Sequence, residues 1–355
     1  ANVCSGGSKS LKLTGSTGSI QWQTASTSAG PWTDIEGATT ATYTFQNLTA
    51  TGLYRAKVSS GACTTVYSNA ITLTVKQPTS AGTITASSTA VCNGSGATLT
   101  LSGSSGTILW QKSTNYTATT PTWATATGTS ATLSTGALTA STAYRAVLSN
   151  SPCPSSTATM VTVTVSPKAV AGVSAVNNTS GLTVCKGGDK PIKLTGSAGS
   201  LQWQASTTSA TTGFTDVSGA TTQPYTFTNI QANTWYRAKL SSGVCPTVYS
   251  NVLAITAKTL TTAGTITTTS GNLCAGTTGK TLTLSGSSGT IAWQKSTNWT
   301  ATTPTWASAT GTTATLTTGA LTASTAYRAV LTNAPCASST ADYIVVNVDP
   351  KVVIK

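Results

Sequence analysis

The sequence contains no histidine, one glutamate (Glu36) and five aspartates among its 355 residues. A serine or cysteine nucleophile needs a neighbouring base, glycoside hydrolysis needs two carboxylates, and a calcium site needs several clustered acidic oxygens. None of these sets recurs along the chain. We therefore expect no catalytic residue, no metal ligand and no cofactor, and we do not expect the protein to be an enzyme.

Charge is also scarce, because only 7% of the residues are charged, against about 25% in an ordinary soluble domain. The net charge is +13, from 19 basic residues and 6 acidic ones. The nearest approach to a basic cluster is Lys186, Lys190 and Lys193, which Asp189 interrupts. We expect no nucleic-acid partner, and weak attraction to surface glycans or other anionic polymers fits the charge better.

Long apolar runs are missing as well. None approaches the roughly 20 residues that a membrane-spanning helix needs, so we expect no membrane span in this segment. No segment has a sustained 3.6-residue apolar period, which argues against helices. The chain nevertheless has 9 Trp, 10 Tyr and many short Val, Ile and Leu runs. Such aromatic and β-branched residues are typical of folded chains and not of disordered ones.

One pattern recurs four times: a cysteine, a tryptophan, a Tyr-Arg-Ala triplet and a second cysteine. The two cysteines are 59 to 62 residues apart, the tryptophan follows the first by 18 or 19, and the tyrosine precedes the second by nine. The tryptophans are Trp22, Trp110, Trp203 and Trp293, and the tyrosines are Tyr54, Tyr144, Tyr236 and Tyr327. Such spacing identifies the chain as an array of four repeats.

The repeats alternate in type. Residues 98–153 align without gaps to residues 281–336, with 7 differences in 56 positions. We place repeats 1 to 4 at residues 1–78, 79–167, 168–258 and 259–355, and we call repeats 1 and 3 odd and repeats 2 and 4 even. The chain is therefore two copies of a two-domain module.

The two ends of the chain fall within the repeat frame. Repeat 1 lacks a counterpart of the Ala-Gly-led segment at Ala171–Val176. The residues Asp349, Pro350 and Lys351 resemble the linker Ser166, Pro167 and Lys168, so repeat 4 ends with the start of a next linker. We expect the chain to be a segment of a longer array.

Each repeat alternates apolar and polar residues with a period of two, as half-buried strands do. In repeat 1, Tyr54, Ala56 and Val58 alternate with Arg55 and Lys57. Several short strands separated by turn residues indicate an all-β fold, a tandem array of four immunoglobulin-like antiparallel β-sandwich domains. We expect the four repeated tryptophans and the four repeated tyrosines to lie in the cores.

Eight cysteines, two per repeat, argue for disulfides and an oxidising compartment. In antibody-type domains the first cysteine lies mid-strand and the second follows the tyrosine by two residues; here the cysteines flank their strands. We infer one disulfide per repeat, closing one end of the sandwich instead of crossing its core. The expected pairs are Cys4 with Cys63, Cys92 with Cys153, Cys185 with Cys245, and Cys274 with Cys336.

Two sets of surface residues are candidates for ligand binding or lateral contact. Tyr116 and Trp299 occur only in the even repeats, within Ser-Thr-Asn-aromatic-Thr, where a ring could stack on a sugar or instead be covered by its loop. The four arginines after the repeated tyrosines should lie on the outer face beside a glutamine: Arg55, Arg145, Arg237 and Arg328. They form either a solvated face or a contact surface. A third recurring set, Trp32, Trp123, Phe214 and Trp306, is expected to pack under a loop.

The stretch from Ser19 to Val75, with Ile20-Gln-Trp-Gln, Trp32-Thr-Asp-Ile-Glu-Gly-Ala, Leu53-Tyr-Arg-Ala and Ser68-Asn-Ala-Ile-Thr-Leu-Thr-Val, resembles the immunoglobulin-like repeats of large Bacteroidota surface proteins. Those repeats occur in gliding-motility adhesins and other cargo of the type IX secretion system. The resemblance implies an extracellular location on a bacterial cell surface, as a stalk or adhesive filament.

Three functions remain open at this point. The first is a structural or adhesive stalk or filament segment, with neighbouring copies of the chain as partners. The second is a secreted carbohydrate-binding protein that uses the aromatic rings of the even repeats. The third is a fibre subunit in which the tail Val352–Lys355 is donated as a strand to a neighbour, by β-augmentation.

Overall fold

The computed structural model describes residues 1–177 and 181–352. They form 36 strands, β1 to β36, and no helix. Nowhere in this part of the chain is there a helix long and apolar enough to cross a membrane. The strands fall into four groups that follow the four repeats.

The odd repeats contain the following strands. Repeat 1 has β1 (Asn2–Cys4), β2 (Gly7–Lys12), β3 (Ser19–Ala25), β4 (Thr33–Asp34), β5 (Thr42–Leu48), β6 (Gly52–Ser59), β7 (Val66–Tyr67) and β8 (Ile71–Lys76). Repeat 3 has β18 (Val170–Val176), β19 (Thr183–Cys185), β20 (Gly188–Ala198), β21 (Ser200–Ser206), β22 (Thr215–Asp216), β23 (Tyr225–Ile230), β24 (Thr234–Ser241), β25 (Val248–Tyr249) and β26 (Leu253–Lys258).

The even repeats contain the remaining strands. Repeat 2 has β9 (Thr83–Ala86), β10 (Ala90–Cys92), β11 (Thr98–Ser102), β12 (Thr107–Ser113), β13 (Ala124–Thr125), β14 (Thr132–Ser134), β15 (Thr142–Asn150), β16 (Cys153–Thr157) and β17 (Val161–Ser166). Repeat 4 has β27 (Thr265–Thr268), β28 (Leu273–Cys274), β29 (Thr281–Ser285), β30 (Thr290–Ser296), β31 (Ala307–Ser308), β32 (Thr315–Thr317), β33 (Thr325–Asn333), β34 (Cys336–Thr340), β35 (Ile344–Val346) and β36 (Val348–Asp349).

Each repeat is a two-layer sandwich, as repeat 2 illustrates. One sheet runs in the order β10-β17-β15-β12-β13, and the other in the order β14-β11-β9. The short strand β10 runs parallel to the last strand, β17, while the other pairings are antiparallel. This arrangement confirms the predicted immunoglobulin-like fold.

Repeat 1 differs from the others in its smaller sheet. There β2 pairs with β5 alone among the described residues. In repeat 3 the counterpart of β2 is β20, which pairs with β23 on one side and with β18 on the other.

The predicted core residues are buried. The four repeated tryptophans are at most 3% exposed and the four tyrosines at most 8%. Each indole N–H also donates a hydrogen bond to a backbone carbonyl in the loop before a strand of the opposite sheet, as Trp110 Nε1 does to Ser130 at 3.0 Å. Burying a large aromatic side chain while satisfying its polar atom anchors each sandwich.

By contacts the chain divides into two compact units. One contains Ala1–Lys168 together with Gly243–Cys245, and the other contains Ala169–Ser242 together with Pro246–Lys355. Repeats 1 and 2 thus lie within the first unit, and most of repeat 3 lies with repeat 4 in the second.

Candidate functional site

The disulfides join consecutive repeats, which corrects the pairing expected from the sequence. The three bonds are Cys4–Cys153, Cys92–Cys245 and Cys185–Cys336. In each, the first cysteine of one repeat bonds to the second cysteine of the next repeat. We call such an inter-repeat disulfide a staple. The expected pairs Cys4 with Cys63, Cys92 with Cys153, Cys185 with Cys245, and Cys274 with Cys336 are all wrong.

Strand direction explains why the two cysteines of one repeat cannot bond. In repeat 1, β1 runs parallel to β8 and pairs Cys4 with Lys76, where the repeat ends. Cys63 follows β6, which is antiparallel to β8, so β6 finishes at the opposite end of the strands from Lys76 and Cys4. The eight residues of β6 span about 26 Å, whereas disulfide-bonded Cα atoms lie within roughly 7 Å of each other.

Polar contacts accompany the staple at the two junctions that lie within a unit. Between repeats 1 and 2, Asn150 Nδ2 donates a hydrogen bond to the carbonyl of Gln77 at 2.8 Å. Between repeats 3 and 4, Asn333 Nδ2 donates equivalently to the carbonyl of Thr259 at 2.7 Å. Each junction therefore holds a peptide linker, a disulfide and an asparagine side chain bound to the linker.

Two cysteines of the described residues form no disulfide. They are Cys63, the second cysteine of repeat 1, and Cys274, the first cysteine of repeat 4, and both are exposed. The expectation that all eight cysteines pair within the chain is thus wrong for these two.

Four arginines, one in each repeat, make the same two contacts, which we call the arginine clamp: a hydrogen bond to a glutamine and a cation–π contact with an aromatic ring. Arg55, Arg145, Arg237 and Arg328 each lie opposite a glutamine of the neighbouring strand and donate from Nε to its Oε1 at 2.8–2.9 Å. Each guanidinium also lies 4.0–4.1 Å from the centroid of an aromatic ring: Trp32, Trp123, Phe214 and Trp306 respectively. The arginines are half-buried on the outer face of their sheets, where each makes a cation–π contact within its own repeat.

The odd repeats add a second ring and a carboxylate to the clamp. Arg55 lies 4.0 Å from the ring centroid of Tyr67 on its other side, and Arg237 has the same relation to Tyr249 at 4.1 Å. Sequence reasoning missed these two tyrosines, although both precede a Ser-Asn pair in the odd repeats only. In repeat 3, Gln204 Nε2 donates to Asp216 at 2.7 Å.

Asp216 is held in its ionised form by these neighbours. The hydrogen bond from Gln204 and the ammonium of Lys239, 3.2 Å away, lower the pKa of the Asp216 carboxyl. Lys57 and Asp34 form the matching pair of repeat 1 at 3.9 Å. Because these ion pairs are largely solvent-exposed, their contribution to stability is small.

Tyr116 and Trp299 lie half-buried in loops that are fastened by the preceding asparagine. In repeat 2, Asn115 Oδ1 accepts hydrogen bonds from the hydroxyls of Ser113 and Thr122 and from the backbone N–H of Thr122. Asn298 makes the same three contacts in repeat 4. Each loop is thus held in place by its asparagine, and its ring is partly covered and partly accessible.

Two equivalent clefts lie next to these loops, one in each even repeat. The cleft of repeat 2 has a volume of about 420 Å³ and that of repeat 4 about 400 Å³. Their walls contain a tryptophan of the arginine clamp, Trp123 or Trp306, a lysine, and several serine and threonine hydroxyls. Tyr116 and Trp299 do not belong to the cleft walls.

No group of three or more histidine, cysteine, aspartate or glutamate side chains that could hold a metal ion occurs in residues 1–177 and 181–352. Disulfides form and persist in oxidising environments, so the three staples indicate an extracellular protein.

The fold and the staples define the class of protein: a tandem array of immunoglobulin-like domains in which disulfides connect each domain to the next. The chain belongs to the family described as Domain of unknown function (DUF8696), whose model matches residues 1–77, 80–167, 174–259 and 262–350. A search of curated proteins found no match.

Three solved structures illustrate the likeness in fold. A four-domain ectodomain fragment (D1–D4) of ICAM-5 has 12% identity and a TM-score of 0.44, covering 98% of this chain and 97% of that one. A tetra-tandem repeat in the extending region of a large adhesion protein has 12% identity and a TM-score of 0.35, covering 94% and 92%. Murine CEACAM1b has 16% identity and a TM-score of 0.35, covering 46% and 95%. At these values the likeness says nothing of shared function.

Proposed function

We propose that this chain is a structural segment of an extracellular adhesive protein, in which the staples keep consecutive domains joined under load and proteolysis. The observation that carries the proposal is the staggered pattern of Cys4–Cys153, Cys92–Cys245 and Cys185–Cys336. Binding-site display alone does not call for covalent bonds between consecutive domains, whereas transmission of load along the array does.

The loops closed by the staples overlap along the chain, and this overlap would make the array resistant to extension and to cleavage. The loop from residue 4 to 153 overlaps the loop from 92 to 245, and that one overlaps the loop from 185 to 336. Every peptide bond between residues 4 and 336 is therefore bypassed by at least one disulfide. A single cut in this range therefore leaves the two fragments joined by a disulfide. A pulling force is carried by the disulfides, so the residues inside the closed loops are not extended.

Single-molecule pulling tests this proposal. When force is applied to the two ends, the shortest covalent path in the stapled chain runs through residues 1–4, 153–185 and 336–355. That path of about 55 residues reaches about 190 Å when extended, whereas the reduced chain of 355 residues reaches about 1,200 Å. We expect release of the longer length only after reduction.

A matched variant sharpens the measurement. Replacing Cys4 and Cys153 with serine opens one staple and lengthens the shortest path to about 170 residues, which adds about 390 Å of extension. Replacing the unbonded Cys63 with serine should leave the curve unchanged. Full extension of the oxidised wild-type chain to the reduced length would refute the proposal.

The location on a bacterial surface is part of the proposal. The residues from Ser19 to Val75 that resemble Bacteroidota surface repeats support a stalk or filament of the gliding-motility type, exported by type IX secretion. Surface labelling of the native cell with an antibody against the repeats, with and without a functional type IX system, tests it. Unchanged labelling in the secretion mutant would exclude this route.

Carbohydrate binding is a second candidate, favoured by the twin clefts of the even repeats. A tryptophan beside serine and threonine hydroxyls and a lysine suits an anionic sugar. Trp123→Ala together with Trp306→Ala should abolish glycan binding if the clefts are the site, whereas Tyr116→Ala with Trp299→Ala should leave it unchanged. Binding that survives the first pair and fails with the second would locate the ligand at the loops instead.

Strand donation is supported by one feature, the β2 strand that pairs only with β5 among the described residues. The proposed donor is the tail Val352–Lys355, of which residues 353–355 lie outside the described residues. Deletion of residues 352–355 should then abolish polymers under reducing conditions, and polymers that persist would rule out this mechanism.

A further inference from the structure

The two unbonded cysteines occupy the positions that form staples elsewhere in the chain. Cys274 is the counterpart of Cys4, Cys92 and Cys185, and Cys63 is the counterpart of Cys153, Cys245 and Cys336. Both are exposed. The three bonded pairs therefore show how cysteines at these two positions are bonded when the neighbouring repeat is present.

Cys274 has the same backbone setting as the bonded Cys92. After Cys92, the N–H of Asn93 donates to the carbonyl of Ser166, and after Cys274 the N–H of Ala275 donates to the carbonyl of Asp349. The glycine two positions on adopts φ 84° at Gly94 and φ 82° at Gly276. That left-handed conformation favours glycine, and it fixes the direction in which the chain leaves the cysteine.

Cys63 has the turn of the bonded Cys245. Both cysteines close a Ser-Ser-Gly-x-Cys turn, in which the glycine has φ 52° at Gly61 and φ 50° at Gly243. The Cys245 sulfur lies 3.4 Å from the carbonyl oxygens of Ser166 and Pro167. A partner of Cys63 is therefore expected to present a matching linker beside its cysteine.

The linker after Cys274's repeat matches this requirement. Cys92 belongs to an even repeat that ends in Ser166, Pro167 and Lys168, and it bonds to the odd repeat that follows. Repeat 4 is even and ends in Asp349, Pro350 and Lys351, and Cys63 lies in an odd repeat. Cys274 and Cys63 are thus the two halves of one even-to-odd junction.

We propose that Cys274 and Cys63 are docking points for further repeats of this family, joined head to tail by the same staple that Cys92 and Cys245 form. The proposal rests on the stapled array of the proposed function. The partner of Cys274 is the second cysteine of an odd repeat, and the partner of Cys63 is the first cysteine of an even repeat. A second copy of the chain supplies both.

The bond forms by thiol–disulfide exchange with a low-molecular-weight or protein disulfide as the oxidant. The thiolate of one cysteine attacks a sulfur of that disulfide, forms a mixed disulfide and releases one thiolate. The second cysteine's thiolate then attacks the mixed disulfide and releases the other. Two cysteine thiols are oxidised to one cystine, and the oxidant is reduced to two thiols.

Two single variants test the pairing without disturbing the internal staples. Cys63→Ser retains only Cys274 as a free thiol, and Cys274→Ser retains only Cys63. Equal amounts are mixed in a buffer of reduced and oxidised glutathione, and the covalent dimers are separated by mass. The double variant Cys63→Ser/Cys274→Ser is the control and should remain monomeric.

We expect the Cys274–Cys63 heterodimer to exceed either homodimer by about tenfold at equilibrium, a preference that docking of complementary surfaces supplies. Wild-type chain should form a ladder of head-to-tail oligomers in the same buffer. Statistical pairing, in which the heterodimer is only half of all dimers, would overturn the inference, as would a lack of dimers.

A peptide map of the same samples distinguishes failure of this inference from failure of the proposed function. If the three internal staples are present and the pairing between copies is statistical, this inference fails alone. If the internal staples are absent, the proposed function fails with it.

Discussion

Cys4 in repeat 1 is bonded to Cys153 in repeat 2, with their Cα atoms 4.9 Å apart at a sequence separation of 149. The bond forms because β1 ends where repeat 1 ends, while the turn that carries Cys153 lies where repeat 2 begins. A cysteine at each of these positions in every repeat produces a chain of staples.

Opening one staple should lower stability measurably. In the chain-entropy model, a closed loop of about 150 residues stabilises the folded state by about 5 kcal/mol. We expect Cys4→Ser/Cys153→Ser to unfold at lower denaturant concentration, with the free energy of unfolding reduced by about 2–5 kcal/mol. Cys63→Ser is the matched control and should unfold as the wild type does.

A cut between repeats 3 and 4 should leave the chain in one piece. A site for a specific protease inserted between Leu260 and Thr261 lies inside the loop closed by Cys185 and Cys336, and Leu260 is 59% exposed. We expect cleavage to leave one band on a non-reducing gel and two after reduction. Pairing within repeats would release two fragments without reduction.

The same protease site placed after Pro350 is the control for this experiment. That position lies beyond Cys336, outside all three loops. Cleavage there should free the short tail even without reduction.

The arginine clamps should contribute according to the number of rings they contact. Arg55 lies between Trp32 and Tyr67, whereas Arg145 contacts Trp123 alone. Lysine cannot reproduce the planar stacking and the Nε hydrogen bond. We expect Arg55→Lys to cost about 2 kcal/mol and Arg145→Lys about 1 kcal/mol in denaturant unfolding.

Lys12→Ala, which removes an exposed charge of repeat 1, is the control for the clamp variants and should change stability by less than about 0.5 kcal/mol. Equal effects of Arg55→Lys and Arg145→Lys would show that the second ring adds nothing.

Stability should fall at alkaline pH. Burial raises the pKa of Tyr144, Tyr236 and Tyr327 above the ordinary value of 10.0. Because the folded-state pKa is the higher one, the stabilisation is complete below pH 10 and is lost as the pH rises from there through the folded-state pKa. Denaturant unfolding at pH 8 to 11 measures this loss.

Tyr144→Phe with Tyr327→Phe should flatten the alkaline decline, because the two ionising groups are gone. The comparison is made in a Cys63→Ser/Cys274→Ser background, since free thiolates would exchange with the staples at high pH. A decline that is as steep in the phenylalanine variant would assign it to other groups.

Strand alternation was sufficient to predict the fold and the core. Tyr54, Ala56 and Val58 face inward because they occupy alternate positions of one strand, and Trp22 is buried for the same reason. The direction in which a side chain faces is a local property of its strand, so the apolar period of two is sufficient to predict it.

The pairing of the cysteines was not predictable in the same way. It depends on which end of the sheet each strand terminus reaches, and that follows from the parallel pairing of β1 with β8. The spacing of about 60 residues within a repeat favoured the wrong partner, because a distance along the sequence does not report direction in the sheet. The observation that both cysteines flank their strands was the available signal that they lie at opposite ends.

Only one of the two contacts of each arginine clamp was predictable from the sequence. Arg55 and Gln23 were expected side by side because they face each other on neighbouring strands. The stacking of Trp32 on Arg55 depends on how the loop after β3 folds back, and no periodic pattern encodes that.

Peptide mapping of the non-reduced protein tests the central claim most directly. After digestion without reduction, with free thiols blocked, mass spectrometry should find Cys4 linked to Cys153, Cys92 to Cys245 and Cys185 to Cys336, with Cys63 and Cys274 alkylated in the monomer. Linkage of Cys4 to Cys63, or of Cys92 to Cys153, would contradict the account, because the repeats would then be independently closed domains.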